Sequence, residues 1–348
     1  MLRRTHSRLA LSLLGAGVFL LVLAPMLTWY VAPRAKVSPI NVDQTAVLTG
    51  QGSYFDIGSL SALRNQKITL TSHVLGDVSA SERSGRAVWD VSTTVDTPKS
   101  LPLKDPRRSL LWITARSVTD RRTNQPVHCC GETPYFDGEA YLKFPFDVEK
   151  RTYRWWYDTL GAAVPLRFAG TTKVLGHEGY RFVGSVPPTK TGTRQVPGLL
   201  VDRPEQAQVF AEQWFSDAGV ELVVDPSTGM VINSTIAPKV TLRAPGGKRD
   251  MVTLLQTDRL TLPKSELQAG VTTASDLSHQ LRLISKTVPA TAAAAGAPIA
   301  VIGLTLLIRG RRKLPPESHP PALSPEVSEV EPAADAAHGR GTLLKDRG

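Results

Sequence analysis

Much is missing from this chain. Only two of its 348 residues are cysteine, which excludes a disulfide-built scaffold and any zinc module with several cysteine ligands. Aromatics are 6% of the chain. It has no strand-associated GxGxxG or GxxxxGK[ST] loop, so dinucleotide and nucleoside-triphosphate chemistry have no support. GxSxG, HExxH and EF-hand spacings are also absent, and the seven histidines are scattered. Thr189-Lys-Thr-Gly-Thr193 contains Lys-Thr-Gly without a Ser-x-x-Lys partner and reads as a loop. The sequence therefore predicts no enzyme, no cofactor and no bound metal. The hydrophobic share, 41%, is too low for a many-span membrane protein.

What apolar content there is concentrates near the two ends. Residues 9–31 read LALSLLGAGVFLLVLAPMLTWYV, without a charge. A bilayer core needs about 20 apolar residues as helix. Arg3, Arg4 and Arg8 precede this run, and Trp29 and Tyr30 sit at its far end, where amphipathic rings favour the interface. The rival reading is a cleaved signal peptide, but the run is longer and its exit bulkier than such a peptide's, so an uncleaved anchor is expected. Residues 288–308 read VPATAAAAGAPIAVIGLTLLI and are followed by Arg309, Arg311, Arg312 and Lys313. This is the second expected span, with a buried globular helix as the rival reading.

Both basic flanks lie outside the two runs, and the positive-inside tendency then puts both termini in the cytoplasm. The expected order is a basic N-terminus (1–8), a first membrane helix (9–31), an extracytoplasmic domain (32–287), a second helix (288–308) and a cytoplasmic tail (309–348). The tail is rich in Pro, Ser, Ala and Glu and holds no aromatic, a composition too poor in apolar surface to order itself. The net charge of +10 is partly topogenic. The middle has no Lys/Arg run longer than two, so nucleic acid is not an expected partner. The expected partner is the lipid bilayer of the plasma membrane.

The middle region reads as mainly antiparallel β, a β-rich α+β domain. Lys67–Leu75, Ala87–Val95 and Ser109–Val118 are β-branched or alternating runs bounded by turn residues. Further strands are expected at Thr171–Val174, Tyr180–Val186 and Val240–Arg243. Two segments, Arg116–Val127 and Glu221–Asn233, share a hairpin grammar. An Asp opens each turn, and Asn124 or Gly229 supplies the positive φ before the return strand. Arg203–Phe215 reads as a helix on the spacing of Val209, Phe210, Gln213 and Trp214, and Leu277–Ser285 as a helical lead-in to the second span.

Chemistry, if any, would come from the segment 126–158. Cys129 and Cys130 are adjacent. An oxidising compartment and the flanking turn residues make a vicinal disulfide feasible; reduced thiols and an intermolecular bridge are the alternatives. His128 beside them does not make a metal site, because three consecutive donors cannot all reach one ion without strain. The stretch from Tyr135 to Asp158 holds nine of the 22 aromatics, interleaved with Arg and Asp. Tyr135, Phe136, Tyr153, Arg154, Trp155 and Trp156 are the candidate ligand-binding residues, since rings next to charges suit sugar faces, lipid headgroups or a protein surface. The bland alternative is a core segment with exposed alternates. Asp137 with Glu139, or Asp147 with Glu149, has the residue types of a glycosidase pair, a pairing common on any solvated edge.

The runs Pro126–Pro134, Phe136–Phe146 and Tyr153–Trp156, with Ala87–Thr93 and Thr241–Gly247, resemble an actinobacterial membrane-protein family of unknown function that carries the name porin PorA. The resemblance extends from the first apolar run to the second. It implies a place in the cell envelope and a link to envelope glycolipid and lipoglycan assembly. Two helical anchors around a β-rich domain are also similar to the class B scavenger-receptor architecture, which moves lipids through a cavity. Barrel porins span instead by amphipathic strands of about 10 residues, without apolar helices. The expectation is thus a membrane-anchored extracytoplasmic protein that binds or transfers envelope lipid or lipoglycan through an apolar cavity. A non-catalytic scaffold for envelope proteins is the alternative.

Overall fold

The computed structural model describes residues 2–103 and 105–311. The tail reading lies outside these residues beyond Arg311. The first helix, α1 (Leu2–Met26), continues without a break through a π-helical turn at Leu27–Val31 into α2 (Ala32–Ala35). A short helix α3 (Val78–Ser84) interrupts the strands, and Asp77 caps it by accepting the Ala80 amide at 2.9 Å. At the other end of the chain, α4 (Lys264–Arg282) runs through a second π-helical turn, Leu283–Thr287, into α5 (Val288–Arg311). Both long helices are apolar and long enough to cross a membrane.

Between them lie β1 (Asp43–Asp56), β2 (Ser61–Gly76), β3 (Ala87–Asp96), β4 (Leu111–Thr119), β5 (Tyr153–Tyr157) and β6 (Ala162–Val174). Then follow β7 (His177–Val196), β8 (Val209–Val224), β9 (Val231–Ile236), β10 (Pro238–Arg243), β11 (Val252–Thr257) and β12 (Leu260–Thr261). They form one sheet of order β4-β3-β2-β1-β11-β10-β8-β7-β6-β5, every ladder antiparallel. β9 and β10 are one strand interrupted near Ala237, and β11 and β12 one strand interrupted near Asp258, because their registers run on across the breaks. Lys239 faces Gln256 while Ile236 faces Leu260, and Gly52 faces Thr257 while Thr49 faces Thr261. The domain is β-rich and flanked by two helices, as the residue pattern implies.

Two hairpins form as their turn residues dictate. Asp225 accepts the Ser227 and Thr228 amides at 3.1 and 2.7 Å, and Gly229 follows at φ +75°. A Cβ on Gly229 would lie 2.2 Å from the Phe144 carbonyl oxygen, so glycine is needed here for space as well as conformation. Asp120 does the same work with the Arg122 and Thr123 amides, before Asn124 at φ +59°. Arg203–Phe215 departs from expectation: its second half is the start of β8, not a helix. Ala211 and Phe215 point into the core, while Phe210 is exposed. Pairing with β7 on one side and β10 on the other decides the matter, and a local helical spacing cannot compete with two ladders. The lead-in to the second apolar helix is helical as expected but begins earlier, at Lys264, because Leu267, Val271 and Ala274 pack on Val174, Val223 and Ile232 of the sheet.

The sheet's inner face is filled by large side chains. Tyr153, Phe144, Phe182 and Phe215 are essentially inaccessible and share one cluster with Ile68, Val95 and Leu255. The two ends of the sheet meet in a second, separate cluster. Val91 of β3 and Ala115 of β4 pack with Trp156 of β5 through Phe136 and Tyr141 of the β4–β5 connection.

The helices pair along their length. Gly17 lies so near Ala300 that a Cβ would sit 2.4 Å from the Ala300 nitrogen, and Gly303 would meet the Leu14 nitrogen at 2.5 Å. The rising numbers on α1 match falling numbers on α5, so the pair is antiparallel. Arg8 and Arg309 therefore lie toward one end, and the sheet toward the other. The two π-helical turns contact each other.

Candidate functional site

The site is built on the long connection 120–152, which the first linker and β4 hold in place. Asn124 is buried. Its Nδ2 donates to the Lys143 carbonyl at 2.9 Å, and its Oδ1 accepts the Ser38 hydroxyl at 3.1 Å. The linker after α2 is further tied by Lys36 to Asp147, and by the Trp89 indole N–H donating to the Pro39 carbonyl at 3.2 Å. The helix exit and the connection thus form one unit.

The connection then runs beside β4, with the Val127 amide donating to Val118 and Arg116 exchanging backbone hydrogen bonds with Thr133. Cys129 and Cys130 are joined as neighbours, with Cα atoms 3.8 Å apart. Cys130 at φ +61° and Gly131 at φ +80° swing the chain back. The Glu132 carboxylate is nearly buried, accepting the Phe136 amide at 2.8 Å and contacting His128 Nδ1 at 2.8 Å. The Tyr135 ring stacks on His128 at 4.1 Å and is 65% exposed.

The six aromatic and basic residues singled out from the sequence do not share one surface. Phe136, Tyr153 and Trp156 are core residues. Tyr153 Oη accepts the Glu149 amide at 2.9 Å, and Phe136 packs edge-on to Trp156. Trp155 is half-buried against the Phe144 ring. Tyr135 and Arg154 are exposed, Arg154 donating to Asp137 at 2.6 Å. Under Trp156, Asp158 accepts the Tyr141 hydroxyl at 3.0 Å and the indole N–H at 3.1 Å. Burial pushes this carboxyl up to about 6, and the two donors oppose the shift.

The concave feature beside this connection was not read from the sequence. A cleft of about 570 Å³ opens on β2, β3 and β4, walled by Gly131 and Thr133. Its floor is two cross-strand rows. His73, Ser92 and Thr114 form one, and Leu75, Asp90 and Arg116 the other. Asp90 accepts both Nε and Nη2 of Arg116 at 2.8 Å, and Asp77 accepts Nη2 at 3.1 Å. Hydrogen bonding to Asp90 raises the Arg116 pKa, so the guanidinium stays charged and fixed in plane. The Trp112 indole N–H donates to Ser92 at 3.2 Å, which lays a half-exposed ring at the cleft's rim. Alternation along β4 puts Trp112, Thr114 and Arg116 on one face. That signal was present in the sequence, but the partners on β2 and β3 come from register alone. A second open cleft of about 500 Å³ lies along Tyr54, Arg64, Met251 and Gln256. Neither is an enclosed apolar chamber, and the domain interior is filled by rings. No cluster of three or more metal-ligating side chains occurs among the described residues.

A second polar group ties the last helix's support to the sheet. Asp225 contacts His177 Nε2 at 2.8 Å and accepts the Thr228 hydroxyl at 2.7 Å. Burial alone would raise its pKa, but these hydrogen bonds outweigh burial and hold the carboxyl low. Nearby, burial pushes the Lys143 ammonium down to about 8, against the pull of Asp225.

No curated protein sequence matches the chain. The family model "Porin PorA" matches residues 9–305, from the first apolar helix through the sheet and into the second. With that match added to the two bilayer-length helices, the protein is membrane-associated, and the chain belongs to the porin PorA family.

Proposed function

We propose that the protein is a two-pass plasma-membrane protein, with both termini cytoplasmic and residues 32–287 outside. Its ectodomain binds the polar, glycan-bearing part of an envelope lipid or lipoglycan. The placement is supported by the antiparallel helix pair, which brings Arg8 and Arg309 toward one end, where basic residues favour the cytoplasm. The observation that carries the binding reading is the cleft of β2–β4. An exposed indole beside a carboxylate–guanidinium pair and two hydroxyls suits a ligand with apolar ring faces and many hydroxyls. Tyr135, two residues beyond Thr133, adds a second exposed ring, and the Cys129–Cys130 pair stiffens the turn that forms the wall. Phe136 and Trp156, packed on Val91 and Ala115 of the cleft lining, support it from beneath. Neither of the two open clefts encloses acyl chains, so headgroup recognition is favoured over a lipid tunnel. His73 of the cleft floor contacts the Asp43 carboxylate at 2.9 Å and is read as part of the polar lining of a binding site.

Two measurements test this. Alkaline phosphatase fused after Gly170 is active if the domain lies outside; an inactive reporter overturns the placement. Native mass spectrometry of gently extracted protein then shows a retained glycolipid, lost in Trp112→Ala; retention unchanged in that variant overturns the site. The family name favours a pore as the second reading. It is judged by conductance of purified protein in planar bilayers.

A further inference from the structure

We propose that the end of the ectodomain opposite the helices docks on an anionic lipid surface, so that the protein bridges its own membrane and a second one. The strand directions define that end. β1, β3, β7 and β10 all run away from the helix exits, and the turns they enter lie at one rim. Those turns carry unusual residues. Ile57 and Leu60 of the β1–β2 turn are 68% and 56% exposed. Leu103 of the β3–β4 connection is 58% exposed, and Leu199 and Phe210 at the β7–β8 connection are 72% and 64% exposed. The connections are not independent: Lys99 reaches across to Asp56 at 2.6 Å, joining the Leu103 segment to the Ile57 turn.

Exposed basic residues stand among these apolar tips. Arg108 follows Leu103, Arg203 follows Leu199, and Lys248 and Arg249 occupy the neighbouring β10–β11 turn, where Arg249 faces the exposed Asp202 at 3.9 Å. Arg108, Arg203 and Lys248 have no ion pair among the described residues, and a protein partner's core would gain nothing from such cations around separate apolar tips. An anionic lipid surface satisfies both, because leucine and phenylalanine side chains enter the acyl boundary while arginine and lysine remain with the phosphates. The helices cannot place this rim in their own bilayer. β7 alone is 20 residues, roughly 60 Å at the usual rise per residue.

The test uses the full chain with its helices held in nanodiscs of neutral phosphatidylcholine. These are mixed with sedimentable vesicles of phosphatidylcholine alone or with phosphatidylglycerol added. Binding is expected to be at least about tenfold tighter to the anionic vesicles and to weaken with salt. The double variant Leu103→Asp, Leu199→Asp should lose that binding with an unchanged thermal unfolding midpoint. Leu175→Asp, at the exposed β6–β7 turn of the opposite end, should keep it. Equal binding to both vesicles overturns the proposal, as does anionic binding that survives the double variant or falls with Leu175→Asp. Binding to neither vesicle returns the leucines to a protein partner and overturns it too. The phosphatase fusion reads the placement separately, so failure of the rim and failure of the two-pass reading are distinguishable.

Discussion

The helix pair and the β domain are both apolar inside, yet they are held together by opposite means. The pair uses the smallest side chains: Gly17 meets Ala300, and Gly303 meets Leu14, backbone against backbone. The domain uses the largest, with Phe144, Tyr153, Phe182 and Phe215 in one buried cluster. The membrane placement proposed above for the pair accounts for the difference. In water, burying a ring removes much apolar area and is the stronger device. Between two helices in hydrocarbon, leucine gains nothing over lipid, and close approach of small residues gives the contact instead.

The sharpest way to break the comparison is a large residue in the pair. Gly17→Leu should abolish the close α1–α5 contact, read as lost hydrogen-exchange protection in α1, while the strands keep theirs. If the strands lose protection equally, the two regions are not separate packing units. Next comes Phe182→Ala, which should lower the domain's stability to urea by about 3–5 kcal/mol and leave α1 protected.

Titration sharpens the contrast further, since the domain buries ionisable groups. The Asp158 carboxyl is raised from 3.8 to about 6, so the folded state holds a proton that the unfolded state has released between those values. Stability therefore falls as pH rises from about 4 to about 6, by roughly 3 kcal/mol, and is level above. Asp158→Asn should flatten that slope in urea titrations repeated across pH. Lys143 behaves in the opposite range. Its folded value of about 8 lies below 10.5, so the charged form is disfavoured at neutral pH and stability rises between those values. Lys143→Met should remove that rise and slightly stabilise the domain at neutral pH. At the small end, Lys99→Met breaks an exposed pair with Asp56 and should leave both regions unchanged within error.

What the residues reveal on their own divides along the same line. The two long apolar helices, the strands at Lys67–Leu75 and Ala87–Val95, and the Asp225–Gly229 turn depend on neighbours a few positions away, and all are legible in the sequence. β8 is not, because Val209 to Phe215 offers both a helical and an alternating reading, and only β7 and β10 decide between them. The site divides likewise. Cys129 beside Cys130, and the ring-rich run from Tyr135, stand out in the chain. But Phe136, Tyr153 and Trp156 turn inward, and the cleft draws His73, Asp90 and Arg116 from three strands whose register no local pattern fixes.

The ladder order has a consequence for biosynthesis. β1 pairs with β2 soon after both emerge, but its other edge waits for Thr257 and Thr261. The early four strands and the later meander are therefore two unfinished blocks until β11 and β12 arrive, and such distant pairing is slow. Those residues leave the ribosome just ahead of α4 and α5. Closure of the sheet is thus timed to the delivery of the second helix, and a chain truncated before Val252 would leave both an unmated strand edge and an unpaired anchor for quality-control proteases to find.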